Sequence, residues 1–212
     1  RLEVEGEAAQ KICQLLGFLP LALRIAGSYL SKRRSLSLEE MLSRLKAKRN
    51  AGESIIVNNA FEMSWQELHW VKEEFPFILS IFALAPIPWS LVKSCLPDIE
   101  PEQLETFREN MLSLSLLQQI GKESYQLHPL IREFISDKRE HSEKAENLKS
   151  RYVREFTELA KTITENLTLD EIHTLAPIIH HLEEATTILT YYLEKEDIVP
   201  AFTGLGRYYT MQ

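Results

Sequence analysis

His128 occupies a position where its side chain could do chemistry. It follows the alternating stretch Tyr125-Gln126-Leu127, and Pro129 follows it at a place suited to the first turn of a helix. A helix N-terminus favours an anion through its free N–H groups and its macrodipole, and a histidine there can donate to a phosphate oxygen. The alternative is a core histidine that pins the extended stretch to the helix, and position alone leaves both open.

The sequence offers no self-contained catalytic site. It lacks a Gly-rich phosphate loop followed by Lys-Ser/Thr, an HExxH zinc signature, a Cys-rich zinc pattern and GxSxG. His180 and His181 are adjacent on a helical pattern and point about 100° apart, so we interpret them as surface or interhelix packing residues. Cys13 and Cys95 lack metal-ligand spacing, which predicts two reduced, buried thiols in a cytosolic protein.

Composition indicates an ordinary globular protein of one or two small domains. The 212 residues are 44% hydrophobic and 26% charged. The longest apolar run, 75–85, is too short to span a bilayer, and Pro76 and Pro86 interrupt it. No signal peptide opens the chain, so we expect a cytoplasmic protein without a membrane anchor. The first residue is Arg, and we therefore expect a fragment of a longer protein.

Charge is unevenly distributed along the chain. The formal net charge is -7, but residues 1–55 carry 10 Lys/Arg against 6 Asp/Glu, and the remainder carries 14 against 25. One interpretation of the basic part is a solvated helical face. The other is a surface that faces an anionic ligand or a partner domain.

The first zone, ending near residue 51, has the pattern of a small helical bundle. Apolar residues at helical spacing predict a first helix that ends around Gly17, and a second helix runs from Pro20 through Leu30. The tetrapeptide Ser37-Leu38-Glu39-Glu40 fits a capping box and predicts the start of a third helix.

The second zone, through about residue 137, has the order of a winged-helix domain. Ser64-Trp65-Gln66-Glu67 fits another capping box and predicts a helix from Ser64 onwards, with a kink at Pro76. A chain break at 85–89, a short helix over 89–96 and a helix opened by Pro101 follow. Alternation over 116–120, a turn at 121–124 and alternation over 125–127 predict a β-hairpin.

The third zone, 141–212, predicts antiparallel helices. One apolar stripe marks a long helix, and Thr168-Leu169-Asp170-Glu171 would cap the next. Near the end of the chain, four residues match aromatic-x-x-Leu-Gly-x-x-Tyr, namely Phe202, Leu205, Gly206 and Tyr209. This resembles the first helix of a tetratricopeptide repeat, and we expect more repeats to follow it.

A predicted winged helix raises DNA binding as a hypothesis. The helix from Pro101 that would enter the major groove carries Glu102, Glu105 and Glu109 against Arg108 alone. A duplex reader needs cations that neutralise phosphates, so DNA would repel this helix. We therefore do not expect nucleic acid as a partner, although the basic first zone could still contact it.

Two motifs together resemble the NB-ARC module of signal-transduction ATPases with numerous domains. The stretch LLGFLPLAL, 15–23, resembles the GLPL motif, and LHPLIRE, 127–133, resembles the MHD motif. The segment 60–92 between them is similar to the winged helix of bacterial members that end in tetratricopeptide repeats. The resemblance covers essentially the whole chain.

The resemblance implies roles for four residues. In the family the GLPL proline lies near the base of the bound nucleotide, a role that would fall to Pro20, with Gly17 and Leu19 shaping the turn. The MHD histidine contacts the β-phosphate of ADP, a role that would fall to His128. Two departures weaken the match, because Phe18 separates Gly17 from Leu-Pro-Leu and Pro129 replaces the motif Asp.

The resemblance also implies an architecture and a function. We expect a mainly α fold with a helical lid subdomain at 1–53, a winged-helix domain with one β-hairpin at 54–140, and a helical linker leading into tetratricopeptide-like repeats at 141–212. The phosphate-loop domain would lie upstream, so we expect no ATP hydrolysis and no cofactor in this fragment. The full-length protein would be an ATPase that uses ADP or ATP with Mg.

The partners follow from the same resemblance. The chain would contact its own upstream nucleotide-binding domain, sense protein partners through the repeats, and form nucleotide-dependent homo-oligomers. The competing hypotheses are a winged-helix DNA-binding transcription regulator and a passive helical scaffold for protein interactions.

Overall fold

The computed structural model describes residues 2–50, 56–68, 74–166 and 172–211. Within these ranges the chain is mainly helical with a small three-stranded antiparallel sheet, which confirms the predicted fold class. The cap predicted at 168–171 lies outside the described residues. The chain forms two compact units, one of residues 1–72 with 106–117 and one of residues 73–105 with 118–212. The domain boundaries drawn from the sequence stay a prediction.

The first unit is built from helices. These are α1 (Leu2–Leu15), α2 (Pro20–Lys32), α3 (Leu38–Asn50) and α4 (Ile56–Gln66), and residues 106–113 of α7 (Pro101–Ser113) join them. The core side chains are large and apolar: Ile12, Leu16, Ile25, Met41, Leu45, Phe61, Phe107 and Met111. Removing this surface from water is the main favourable term in holding short helices together.

The two predicted capping boxes have different outcomes. Ser37 N–H donates to the Glu40 carboxylate at 2.9 Å, and Glu40 N–H donates to Ser37 Oγ at 3.2 Å, which confirms the first. Ser64 instead lies buried inside the last turns of α4, so the helix start predicted there is wrong. The buried residues Ala60 and Phe61 extend the helix upstream of Ser64, and their packing outweighs the local capping preference.

The second unit contains the sheet and the longer helices. In chain order it has α5 (Glu74–Ile81), β1 (Ile87–Pro88), α6 (Trp89–Cys95), the beginning of α7, β2 (Gln118–Gln119), β3 (Ser124–Gln126), α8 (Pro129–Glu140), α9 (Ala145–Asn166), α10 (Ile172–Ile188), a 3-10 turn (Leu189–Tyr191) and α11 (Lys195–Met211). Pro76 lies in the first described turn of α5. Residues 69–73, which precede it, lie outside the described residues, so the kink predicted at Pro76 stays a prediction. The helix starts predicted at Pro101 and Pro129 are confirmed.

The sheet has the strand order β1-β3-β2, and both pairings are antiparallel. The predicted hairpin is confirmed, with Gln119 opposite Tyr125. The prediction missed β1, in which Ile87 pairs with Tyr125 across a separation that local patterns do not report. Pro88 is tolerated because β1 is an edge strand. The element order α5-β1-α6-α7-β2-β3 is the order predicted for a winged helix, with this strand added.

An aromatic cluster forms the core of the second unit. The ring of Phe82 packs edge-on against Tyr152, with centroids 5.1 Å apart, and against Phe156 at 6.0 Å. Such edge-to-face pairs add to the free energy of simple burial. Trp89 and Tyr125 make a second pair at 5.4 Å, which packs α6 against the sheet.

The last helix uses residues other than the repeat-like motif to pack. Gly204 approaches α9 so closely that an added Cβ would lie 2.7 Å from the Ala160 carbonyl oxygen. Tyr208 is buried, whereas Phe202 and Tyr209 are about half exposed. The motif side chains therefore lie mainly on the exposed side of α11, and the tetratricopeptide assignment stays a prediction.

Candidate functional site

The connection between α1 and α2 contains three of the predicted site residues. Gly17 has φ 60°, in the left-handed region that glycine tolerates. Gly17 N–H donates to the Gln14 carbonyl at 3.1 Å, and Phe18 N–H donates to the Cys13 carbonyl at 2.9 Å. This pair of bonds is the Schellman arrangement that ends a helix. Gly17 thus terminates α1 through its backbone, as a turn-shaping residue must.

The same connection exposes an apolar turn. Leu19 is the N-cap of α2 with extended backbone, and Pro20 is the first helical residue, where a missing N–H costs nothing. Phe18 also has positive φ, at 54°, which is rare for a bulky side chain, and it is 63% exposed. Phe18, Leu19 and Pro20 are therefore all available for contact with a ligand or another domain.

His128 is the N-cap of α8 in the second unit. Its backbone is extended, at φ -66° and ψ 140°, and its Nδ1 accepts a hydrogen bond from Leu130 N–H at 3.2 Å. Since Nδ1 accepts, the proton of the neutral ring must sit on Nε2. The side chain is exposed, so Nε2–H is a donor directed to its surroundings.

The backbone at the start of α8 corrects one expectation. Pro129 has no N–H, Leu130 N–H binds His128 Nδ1, and Ile131 N–H donates to the His128 carbonyl at 2.9 Å. The free backbone donors that we expected at this terminus are thus already engaged. An anion here would rely on His128 Nε2 and the helix dipole.

The predicted site residues fall into both units. Gly17, Leu19 and Pro20 belong to the first unit, and His128 belongs to the second. The shared contact with one nucleotide, which the family resemblance implies, stays a prediction.

Sequence reasoning missed a polar network along α8. Arg132 Nε donates to the Ser80 carbonyl at 3.1 Å, and its Nη2 donates to Glu184 Oε1 at 2.7 Å. The buried Arg139 donates from Nη1 to Ser80 Oγ at 2.8 Å and from Nη2 to Ser136 Oγ at 2.9 Å. The available signal was the seven-residue spacing of two arginines, which places them on one helix face.

Glu140 joins this network to α9. Its carboxylate accepts from Arg139 at 2.7 Å and from Lys149 at 2.8 Å. Burial alone would raise the pKa of Glu140, but the hydrogen bonds from Lys149 and Arg139 hold it below its ordinary value. Glu140 is therefore charged at neutral pH, and it forms ion pairs with both Arg139 and Lys149.

The remaining candidate ligands have structural surroundings. His181 is buried between helices, as predicted. His180 is exposed, and its Nδ1 lies 3.0 Å from Oε2 of Glu183. Cys95 is buried and Cys13 is half-buried, and both are free thiols. No group of three or more His, Cys, Asp or Glu side chains within the described ranges is placed to hold a metal ion. Among the described helices, none combines the length and apolar character that a membrane crossing requires.

Two bacterial regulatory proteins are similar to this chain. It is 30% identical to the regulatory protein AfsR of Streptomyces griseus over an alignment of 138 residues. That alignment covers 62% of this chain and 14% of the AfsR protein. It is 27% identical to the regulatory protein AfsR of Streptomyces coelicolor over an alignment of 156 residues. That alignment covers 71% of this chain and 16% of the AfsR protein. No family model and no solved structure matches the chain. The chain is thus a weak homologue of bacterial regulatory proteins and spans about one seventh of their length.

Proposed function

We propose that this chain is the regulatory C-terminal part of a nucleotide-dependent switch of the NB-ARC type. The helical lid and the winged helix close over ADP in an inactive state, and exchange for ATP releases them. The helices after residue 140 lead into repeats that sense a protein partner, and release permits oligomerisation. Hydrolysis, with ATP and Mg, belongs to an upstream domain.

The observation that carries this proposal is the geometry of His128. Its Nδ1 is held by Leu130 N–H, so the ring is fixed in orientation and in tautomer. Nε2–H then points away from the helix as a donor, at the end where the dipole favours an anion. This is the arrangement that a phosphate-contacting histidine needs.

Two further findings support the proposal. The exposed turn formed by Phe18, Leu19 and Pro20 offers apolar contact area for a base or for the upstream domain. The homologous proteins are named as regulatory proteins and are far longer than this chain, which fits a module that serves a larger switch.

The experiment compares ADP release from the full-length protein and from two variants at His128. His128→Ala removes both the helix cap and the ring donor. His128→Asn keeps a good N-cap residue but is too short to place a donor where Nε2 lies. Both variants should release ADP about tenfold faster or more, since a hydrogen bond to a charged group is worth roughly 1.5–3 kcal/mol. Stopped-flow displacement of a fluorescent ADP analogue measures the rate.

The asparagine variant separates the two roles of His128. If His128→Asn releases ADP at the wild-type rate and only His128→Ala is faster, the ring acts through the helix cap alone. That result, or wild-type release by both variants, would show that His128 does not contact the phosphate.

A second candidate function is DNA binding by the winged helix. The observation in its favour is the sheet order β1-β3-β2 in the element order of that fold. A fold of this kind does not establish the function, and the residues of α7 argue against it. Glu102 and Glu109 are exposed on this helix, and Glu105 binds Lys93 at 2.8 Å.

A further inference from the structure

A cavity of about 410 Å³ lies in the second unit, bordered by α8, α9, α10 and the segment around Ile81. Its volume falls in the range of roughly 300–1,000 Å³ that small-molecule sites have. Its lining includes the apolar residues Ile81, Leu84 and Ile188, of which Leu84 is 52% exposed. The lining also includes charged side chains from α8, α9 and α10. A ligand in this cavity would meet both kinds of surface.

Arg132 lines this cavity, and its guanidinium is held by two neighbours. Its Nε is bound to the Ser80 carbonyl and its Nη2 to Glu184, and both bonds fix the plane of the group. Its Nη1 has no hydrogen-bond partner among the described residues. A guanidinium held in this way is pre-organised to bind a carboxylate, with little side-chain entropy left to lose.

Two carboxylates line the same cavity. Glu133 is exposed and forms no ion pair or hydrogen bond through its side chain within the described part of the chain. Glu184 uses Oε1 for Arg132, which leaves Oε2 to accept from another donor. These oxygens are suited to an ammonium group, which has three donors and no acceptor.

The balance of charge selects the ligand class. The cations Arg139 and Lys149 also line the cavity, but both are bound by Glu140, which is not part of the lining. A polyanion such as a nucleotide phosphate would therefore face Glu133 and Glu184 without a matching excess of positive charge. A ligand with one positive and one negative group would satisfy both sets of side chains.

We infer that this cavity binds a small zwitterion with an apolar body, that is, an apolar α-amino acid. Its carboxylate binds Arg132 Nη1, its ammonium binds Glu133 and Glu184, and its side chain packs on Ile81, Leu84 and Ile188. This inference is independent of the nucleotide switch, because none of these residues belongs to the predicted nucleotide contacts.

The test is calorimetric titration of this chain with L-leucine and two truncated analogues. 4-Methylpentanoate lacks the ammonium, and 3-methylbutylamine lacks the carboxylate. We expect saturable binding of L-leucine with a Kd of about 1 mM or lower, and binding about tenfold weaker for each analogue. No saturation by L-leucine up to about 10 mM overturns the inference. Equal affinity for 4-methylpentanoate also overturns it, because that result would mark a site for simple anions.

A matched pair of variants locates the site. Glu133→Gln removes the charge that faces the ammonium and should weaken L-leucine binding about fivefold or more. Asp137→Asn, one turn further along α8 and also exposed, removes the same charge away from the cavity lining and should bind like the wild type. Unchanged binding by Glu133→Gln, or equal weakening by Asp137→Asn, contradicts the assignment.

Discussion

His181 is a buried histidine with a defined tautomer. Its Nε2 lies 2.8 Å from the Pro86 carbonyl, which can only accept, so the ring proton sits on Nε2. Nδ1 is buried and has no hydrogen-bond partner among the described residues. The ring packs edge-on against Phe82 at 5.1 Å. Burial lowers the pKa of His181 below its ordinary value of 6.5, and the bond to Pro86 opposes this only in part.

This environment predicts acid sensitivity of the second unit. The unfolded chain takes up a proton at His181 near pH 6.5, whereas the folded chain resists it until a lower pH. The contribution of His181 to stability is therefore complete above pH 6.5 and is lost as the pH falls towards the folded-state pKa. In that window the free energy of unfolding should fall by up to about 1.4 kcal/mol for each pH unit of acidification. Urea unfolding between pH 8 and pH 5 measures it.

Two histidine variants serve as controls for that slope. His181→Gln keeps a side-chain donor for Pro86 but does not titrate, so its free energy of unfolding should vary less with pH. His180→Gln changes the exposed neighbour and should follow the wild type. An identical slope in wild type and His181→Gln would show that other groups cause the acid sensitivity.

At the scale of elements, α3 depends on the capping box at Ser37. Ser37 and Glu40 exchange two hydrogen bonds that satisfy N–H groups left free at the helix start. Ser37→Ala should lower the free energy of unfolding by about 0.5–2 kcal/mol. Chemical denaturation gives this value, and amide hydrogen exchange should show faster opening in the first turn of α3.

The matched control for this variant is Ser35→Ala. Ser35 is exposed two residues earlier and lies outside the capping box. Its replacement should leave the free energy of unfolding unchanged within about 0.5 kcal/mol. Equal effects of the two substitutions would mean that the cap observed at Ser37 does not stabilise α3.

At the scale of the whole molecule, charge opposes binding to DNA. The chain carries 31 Asp and Glu against 24 Lys and Arg, for a formal net charge of -7. Non-specific DNA affinity comes almost entirely from cations that neutralise phosphates. We therefore expect no gel shift of random duplex at low salt, up to about 10 µM protein.

A charge-reversal variant makes this assay informative. Replacing Glu102 and Glu109 of α7 by Lys should produce a weak, salt-sensitive shift, because the repulsion at that helix is then reversed. A shift by the wild-type chain that persists with random duplex would favour the DNA-binding regulator over the nucleotide switch.

Local signals in the sequence determined much of the architecture. The starts of α7 and α8 at Pro101 and Pro129, the cap at Ser37 and the hairpin at 118–126 were all predictable. Each rests on a proline, a capping pair or a turn, whose effect reaches only about four residues along the chain. His128 was also identified as a candidate site residue from a local signal, its position directly before Pro129 at a predicted helix start.

Tertiary contacts decided the rest. Ser64 lies inside α4 because its neighbours are buried, and β1 exists because Ile87 meets Tyr125, 38 positions further on. Arg132 is fixed by Ser80 and Glu184, each 52 positions away. Pairings at such separations depend on which surfaces the folded chain buries together, and no periodicity along the sequence encodes them.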